Sequence, residues 1–164
     1  LVRKYSEKTG FDTGIFGTEI LLSVLYKTGN GELATRLLAN KGEASFDYMR
    51  RAGATTLWEN WSGEASHSHP MFGASTEFLF EEILGIKQTE DSVRYDKVVI
   101  SPVFPECLDF AKGKITTPHG EIGVSWKRSG GKTEVCIDLC EGIDAVFKKN
   151  QNFALKKGSN RFII

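Results

Sequence analysis

Residues 53–73 read GATTLWENWSGEASHSHPMFG. Trp58 and Trp61, two of the three tryptophans, bracket Glu59, and two of the three histidines, His67 and His69, follow within one short loop. A carboxylate held between large aromatic rings and beside imidazoles suits a sugar-cleaving site. Rings stack on the apolar face of a sugar, polar tips bind its hydroxyls, and a carboxylate moves protons. The stretch is also a divide. Before it the apolar residues recur at helical spacing; after the helical pattern that starts at Pro70 they alternate.

Upstream of the divide, Gly14 to Tyr26 is apolar nearly all round, with Ile15, Phe16, Ile20, Leu21, Leu22, Val24 and Leu25. Such a pattern predicts a helix buried on most sides. Thr28-Gly29-Asn30-Gly31 ends it, and Glu32 to Asn40 follows with Leu33, Ala34, Leu37 and Leu38 on one face. Ser45 to Ala52 predicts a short third helix ended by Gly53, and Pro70 to Gly85 a fourth, with Pro70 in the favoured first turn. His69 then sits at a helix N-terminus.

Downstream, KQTEDSVRYD at 87–96 is polar and reads as a linker. Short alternating or β-branched runs come next: Val98 to Ser101, Leu108 to Thr116, Glu121 to Lys127, Glu134 to Leu139, Asp144 to Phe147 and Arg161 to Ile164. Turn signals separate them, among them Pro118-His119-Gly120 and Ser129-Gly130-Gly131. Six strands at this spacing predict an antiparallel sandwich with Trp126 in its core.

Three motifs in one order carry a resemblance to a family. ATTLWENW is similar to the A-T-T-I-W-E-R-W segment of the bacterial α-L-rhamnosidases, and SHPMFGA to their N-H-x-x-F-G-A segment. TGFDTGIFGTEILLSVLYKTG resembles their T-G-F-x-G-T-P-x-L-L helix. The likeness is close from Thr9 to Ile86 and looser to Ile164. Those enzymes are inverting glycoside hydrolases with a six-hairpin α/α barrel followed by a C-terminal β-sandwich. The resemblance implies an α+β chain in two parts: helical hairpins of such a barrel over residues 1–88, and an antiparallel sandwich over residues 97–164. It implies Glu59 as general base and His69 as a contact to the bound sugar. Four helices cannot close a barrel of twelve, so the chain is expected to hold only the end of the catalytic domain. Its start, LVRKYSEKTGF, reads like the middle of a longer polypeptide. The general acid is expected on the missing N-terminal part of the same polypeptide, which is one implied partner; a rhamnose-containing glycoside is the other.

Other readings stand beside these. Without the resemblance, Glu59 reads as a surface glutamate beside two core tryptophans, and His69 as a ring that only caps or packs against its helix. If residues 58–61 are helical, Trp58 and Trp61 share a face and Glu59 takes another; if extended, Glu59 and Trp61 share one. Trp61 is the favoured substrate contact, Trp58 the second. His67 matches no motif position and is expected to be solvated or to support the site. Asn60 stands where the family carries arginine, and Ser68 where it carries asparagine, which bears on leaving-group specificity. Another sugar for the same barrel, or a non-catalytic carbohydrate-binding or structural module, remain the rival functions.

Composition excludes several classes. The formal net charge is zero, which favours neither nucleic acid nor an anionic membrane, and no apolar run approaches the roughly 20 residues of a membrane span. The bacterial cytoplasm, periplasm and exterior all stay open. Nothing implies a cofactor. A metal held by His67 and His69 would need a third ligand, with only Glu59 or Glu64 near in sequence, so none is expected. Cys107, Cys136 and Cys140 form no complete disulfide set; Cys136 and Cys140 in one strand would stand about 13 Å apart.

Overall fold

The computed structural model describes residues 1–164, and the chain divides into two compact units. One comprises Leu1–Phe78 with Pro105–Cys107, the other Leu79–Phe104 with Leu108–Ile164.

The first unit is helical: α1 (Val2–Ser6), α2 (Ile15–Lys27), α3 (Gly31–Leu38) and α4 (Phe46–Arg51). Helix α4 starts where Ser45 Oγ accepts the Tyr48 N–H at 3.0 Å, and Asp47 in its first turn pairs with Arg50 and Arg51. Helix α2 differs from its expectation of burial on most sides. Leu21, Leu22, Leu25 and Tyr26 are buried, but Phe16 (67%), Ile20 (63%) and Val24 (40%) are exposed. Their four-residue spacing places these three on one stripe, for which this unit supplies no cover. Asp12 bridges Lys4 (2.6 Å) and Lys8 (3.0 Å) and accepts the Tyr5 hydroxyl. The Lys4 ammonium, then the Tyr5 hydroxyl, hold the Asp12 carboxyl well below the usual carboxylate range. Burial, then the bond to Asp12, raises the Tyr5 phenol to about 12.

The helical pattern from Pro70 is not one α-helix. It runs as a 3₁₀ segment (Pro70–Ser75), one α turn (α5, Thr76–Phe78) and a π segment (Leu79–Ile83), with Leu84 N–H reaching Leu79 O at 3.1 Å. The passage from α to π coincides with the passage from one unit to the next. Gly85 ends it at φ +75°, where a Cβ would lie 2.2 Å from the Pro102 nitrogen, so no other residue fits.

The second unit is a two-sheet sandwich. One sheet has the order β1-β2-β6-β7: β1 (Ile86–Gln88), β2 (Lys97–Ile100), β6 (Asp144–Lys148) and β7 (Asn152–Ala154). The other has the order β3-β4-β5-β8: β3 (Phe110–Thr117), β4 (Gly120–Ser129), β5 (Lys132–Leu139) and β8 (Gly158–Ile163). Strict alternation buries Ile122, Val124 and Trp126 of β4 against Val135, Ile137 and Leu139 of β5 and Ile86, Val98, Ile100, Ala145 and Phe147 of the facing sheet. Trp126 is core, as its strand position predicts, and its indole N–H donates to Ile83 O at 2.8 Å. Three details depart from the sequence reading. The polar stretch read as a linker supplies β1 and the turn into β2. The short β7 was not expected. β2 and β6 pair in parallel, which their connection, carrying β3, β4 and β5 of the other sheet, is long enough to permit. None of Cys107, Cys136 and Cys140 is in a disulfide.

Candidate active site

Residues 52–69 have no helix or strand, so their order must come from side chains and scattered backbone bonds. Glu59 N–H donates to Ser66 O at 2.8 Å, and His69 N–H to Leu57 O at 2.8 Å. Between them Asn60 Oδ1 accepts the Gly63 N–H (2.9 Å) and the Ser62 hydroxyl (3.2 Å), bracing a tight turn. Gly63 takes φ +76°, and a Cβ on it would meet the Trp58 ring at 2.7 Å. The backbone therefore lies directly against that indole, which only glycine allows.

Both tryptophans point inward. Trp58 is 6% exposed, edge-on to Tyr48 and stacked on His67 with centroids 4.6 Å apart. Trp61 stacks on Phe11 (5.2 Å), lies 4.0 Å from Phe72, meets Phe46 edge-on and donates its indole N–H to Thr13 O at 2.7 Å. It remains half-exposed. The segment is thus neither helix nor strand. A turn sends the indoles on either side of Glu59 into the core and leaves Glu59 exposed.

The Glu59 carboxylate accepts the Ser66 N–H at 3.3 Å through Oε2 and otherwise faces solvent. Glu64, the nearest acid in sequence, accepts from Ser62 Oγ at 3.2 Å. His69 is half-buried and caps the 3₁₀ segment, its Nδ1 facing the Met71 N–H at 3.5 Å. With Nδ1 as acceptor, a neutral ring carries its proton on Nε2 and offers a donor there. His67, exposed, places Nε2 2.7 Å from Gly63 O, and its carbonyl accepts the Thr56 hydroxyl. No group of three or more His, Cys, Asp or Glu side chains could hold a metal ion.

The structure thus puts Glu59 and His69 on one braced loop with Trp58 and Trp61 beneath it. Sequence reasoning did not find three of the parts: the Trp58–His67 stack, the Asn60 brace and the Thr13 carbonyl under Trp61. Only the brace left a local mark, an Asn three residues before a Gly. The loop carries a carboxylate open to water, which can accept a proton, and an imidazole that can bind a hydroxyl.

Helical hairpins that carry a loop with an exposed carboxylate and a half-buried imidazole are followed in this chain by a β-sandwich. Residues 1–83 match the model of the bacterial alpha-L-rhamnosidase 6 hairpin glycosidase domain, and residues 85–147 that of the bacterial alpha-L-rhamnosidase C-terminal domain. The chain belongs to the bacterial α-L-rhamnosidase family. It is 31% identical over 166 residues to an alpha-L-rhamnosidase of Alteromonas sp. (strain LOR), covering 94% of this chain and 18% of that protein. An alpha-L-rhamnosidase of Formosa agariphila is 30% identical over 146 residues, covering 85% of this chain and 15% of its own length. The fold is shared with the crystal structure of Streptomyces avermitilis alpha-L-rhamnosidase complexed with L-rhamnose, at a TM-score of 0.86 and 23% identity over 99% of this chain and 19% of that one. The chain therefore spans less than a fifth of the length of these relatives.

Proposed function

We propose that residues 1–164 form the C-terminal part of an inverting α-L-rhamnosidase and carry its general base, Glu59. In this reading Glu59 takes a proton from the water that attacks the anomeric carbon. A general acid from the missing N-terminal part of the polypeptide protonates the leaving oxygen. The two carboxyls would stand about 6.5–9.5 Å apart, leaving room for that water. His69 would bind a hydroxyl of a terminal rhamnose through Nε2. Of the two indoles, the half-exposed Trp61 can meet a sugar face, whereas Trp58, 6% exposed, acts by holding the loop.

The observation that carries the proposal is the orientation of one turn: two indoles anchored in the core and the carboxylate between them open to solvent, fixed by the Ser66 amide at 3.3 Å. A glutamate beside core tryptophans for packing alone needs no such loop. Family membership and the names of the relatives support the substrate class.

The test is steady-state kinetics of the full-length enzyme on an aryl α-L-rhamnoside. Glu59→Gln should lower kcat by about 10²–10⁴-fold with rhamnose affinity kept. Activity within a few-fold of the parent would sink the assignment. His69→Ala should raise KM and lower kcat together. The 164-residue chain alone should show no turnover, since inversion needs both carboxyls; clear turnover would mean that Glu64 or Glu77 completes the site.

A further inference from the structure

We propose that His67 is a positioning residue for Glu59, a role that rests on the reading of Glu59 as general base. The carboxylate is oriented by a reciprocal pair: Glu59 N–H donates to Ser66 O at 2.8 Å, and Ser66 N–H donates to Glu59 Oε2 at 3.3 Å. Whatever fixes the Ser66 peptide therefore aims the base. Its neighbour His67 is pinned by three contacts. Its ring stacks on Trp58 at 4.6 Å and 16°, its Nε2 lies 2.7 Å from Gly63 O, and its carbonyl accepts the Thr56 hydroxyl.

These contacts join the buried indole to the turn above it. Trp58 is buried and immediately precedes Glu59; Gly63 lies in the exposed turn, braced by Asn60. A histidine that was merely solvated would have neither a stacked ring nor a bonded nitrogen. The Nε2 contact to a carbonyl requires the proton on that nitrogen, and both the neutral tautomer and the imidazolium supply it. His67 thus acts through geometry and does not carry the catalytic proton. Displacement of a reacting group by about 1 Å can cost roughly 10²-fold in rate.

The experiment is a double-mutant cycle in the full-length enzyme, combining His67→Ala with Glu59→Gln and measuring kcat and KM on an aryl α-L-rhamnoside. His67→Ala should lower kcat by about 10–100-fold with KM within about 3-fold. In the Glu59→Gln background the same change should cost less than about 2-fold, because nothing remains to aim. His67→Phe keeps the stack and His67→Gln keeps a donor, so each should recover part of the loss; these two decide the matter if the alanine variant does not fold. An unchanged kcat, a rise in KM without loss of kcat, or equal losses in both backgrounds would each overturn the proposal. Near-parental activity of Glu59→Gln itself would instead remove the reading on which it rests.

Discussion

The two units hold themselves together in different ways. In the sandwich, ladders β3·β4, β4·β5 and β5·β8 run in unbroken register, so the backbone is satisfied strand by strand and alternation alone decides what is buried. In the helical unit the decisive stretch, residues 52–69, has no ladder at all. It is ordered by Asn60, which braces its turn locally, and by Trp58, Trp61 and His67, whose partners lie further off in the chain. The core residues of the sandwich pack on one another, whereas Trp58 and Trp61 of the helical unit also flank the residue that carries the exposed carboxylate.

The strongest challenge to that contrast is Trp126→Ala. Removing a buried indole should cost about 3–5 kcal/mol and orphan the Ile83 carbonyl. Hydrogen exchange should show the sandwich amides losing protection while those of α2 and α3 keep theirs. Equal loss in both would mean that the chain unfolds as one cooperative body. Next in size is Gly63→Ala. At φ +76°, with a Cβ 2.7 Å from Trp58, it should cost about 1–3 kcal/mol. The loss should appear in the helical unit and shift Trp58 fluorescence; silence in both would show that the loop yields without consequence.

A smaller effect sharpens the comparison from the outside of the molecule. The 164-residue chain should self-associate through Phe16, Ile20 and Val24, and Phe16→Ser with Ile20→Lys should reduce its mass in light scattering toward the monomer. Surface changes of this kind alter stability by only about 0.5 kcal/mol. A parent chain that stays monomeric at every concentration would remove the stripe as an adhesive surface. The smallest effect concerns pH. Asp12 is depressed in the folded state, so its contribution is present above the ordinary carboxyl range, near pH 4, and is lost as pH falls below it. Asp12→Asn should flatten this acid limb of helical-unit stability. Tyr5 acts in the opposite sense: raised from about 10 to about 12, it should cost stability as pH climbs between those values. Thermal scans across pH check both signs, and an unchanged acid limb in the variant would remove Asp12 from the account.

Sequence by itself determined helices α2, α3 and α4, the long strands, the burial of Trp126 and the placing of Glu59 and His69 in one short stretch; α1 was not expected, and residues 58–61 stood open between helix and strand. Each of the features so determined follows from spacing or from a local run: period-two alternation in β4 and β5, a glycine after Ala52, a proline after His69. Tertiary structure alone decided the rest. The parallel pairing of β2 with β6 depends on strands brought together across an intervening sheet, and no local pattern encodes direction at that distance. The apolar residues of α2 could be assigned to a helix but not to a buried or open side, because that depends on which neighbours are present. Trp58 and Trp61 were legible as a pair flanking an acid. Their common inward course, and the stack that makes His67 part of the loop, arise from contacts with Phe11, Thr13, Phe72 and Gly63 that only folding brings together.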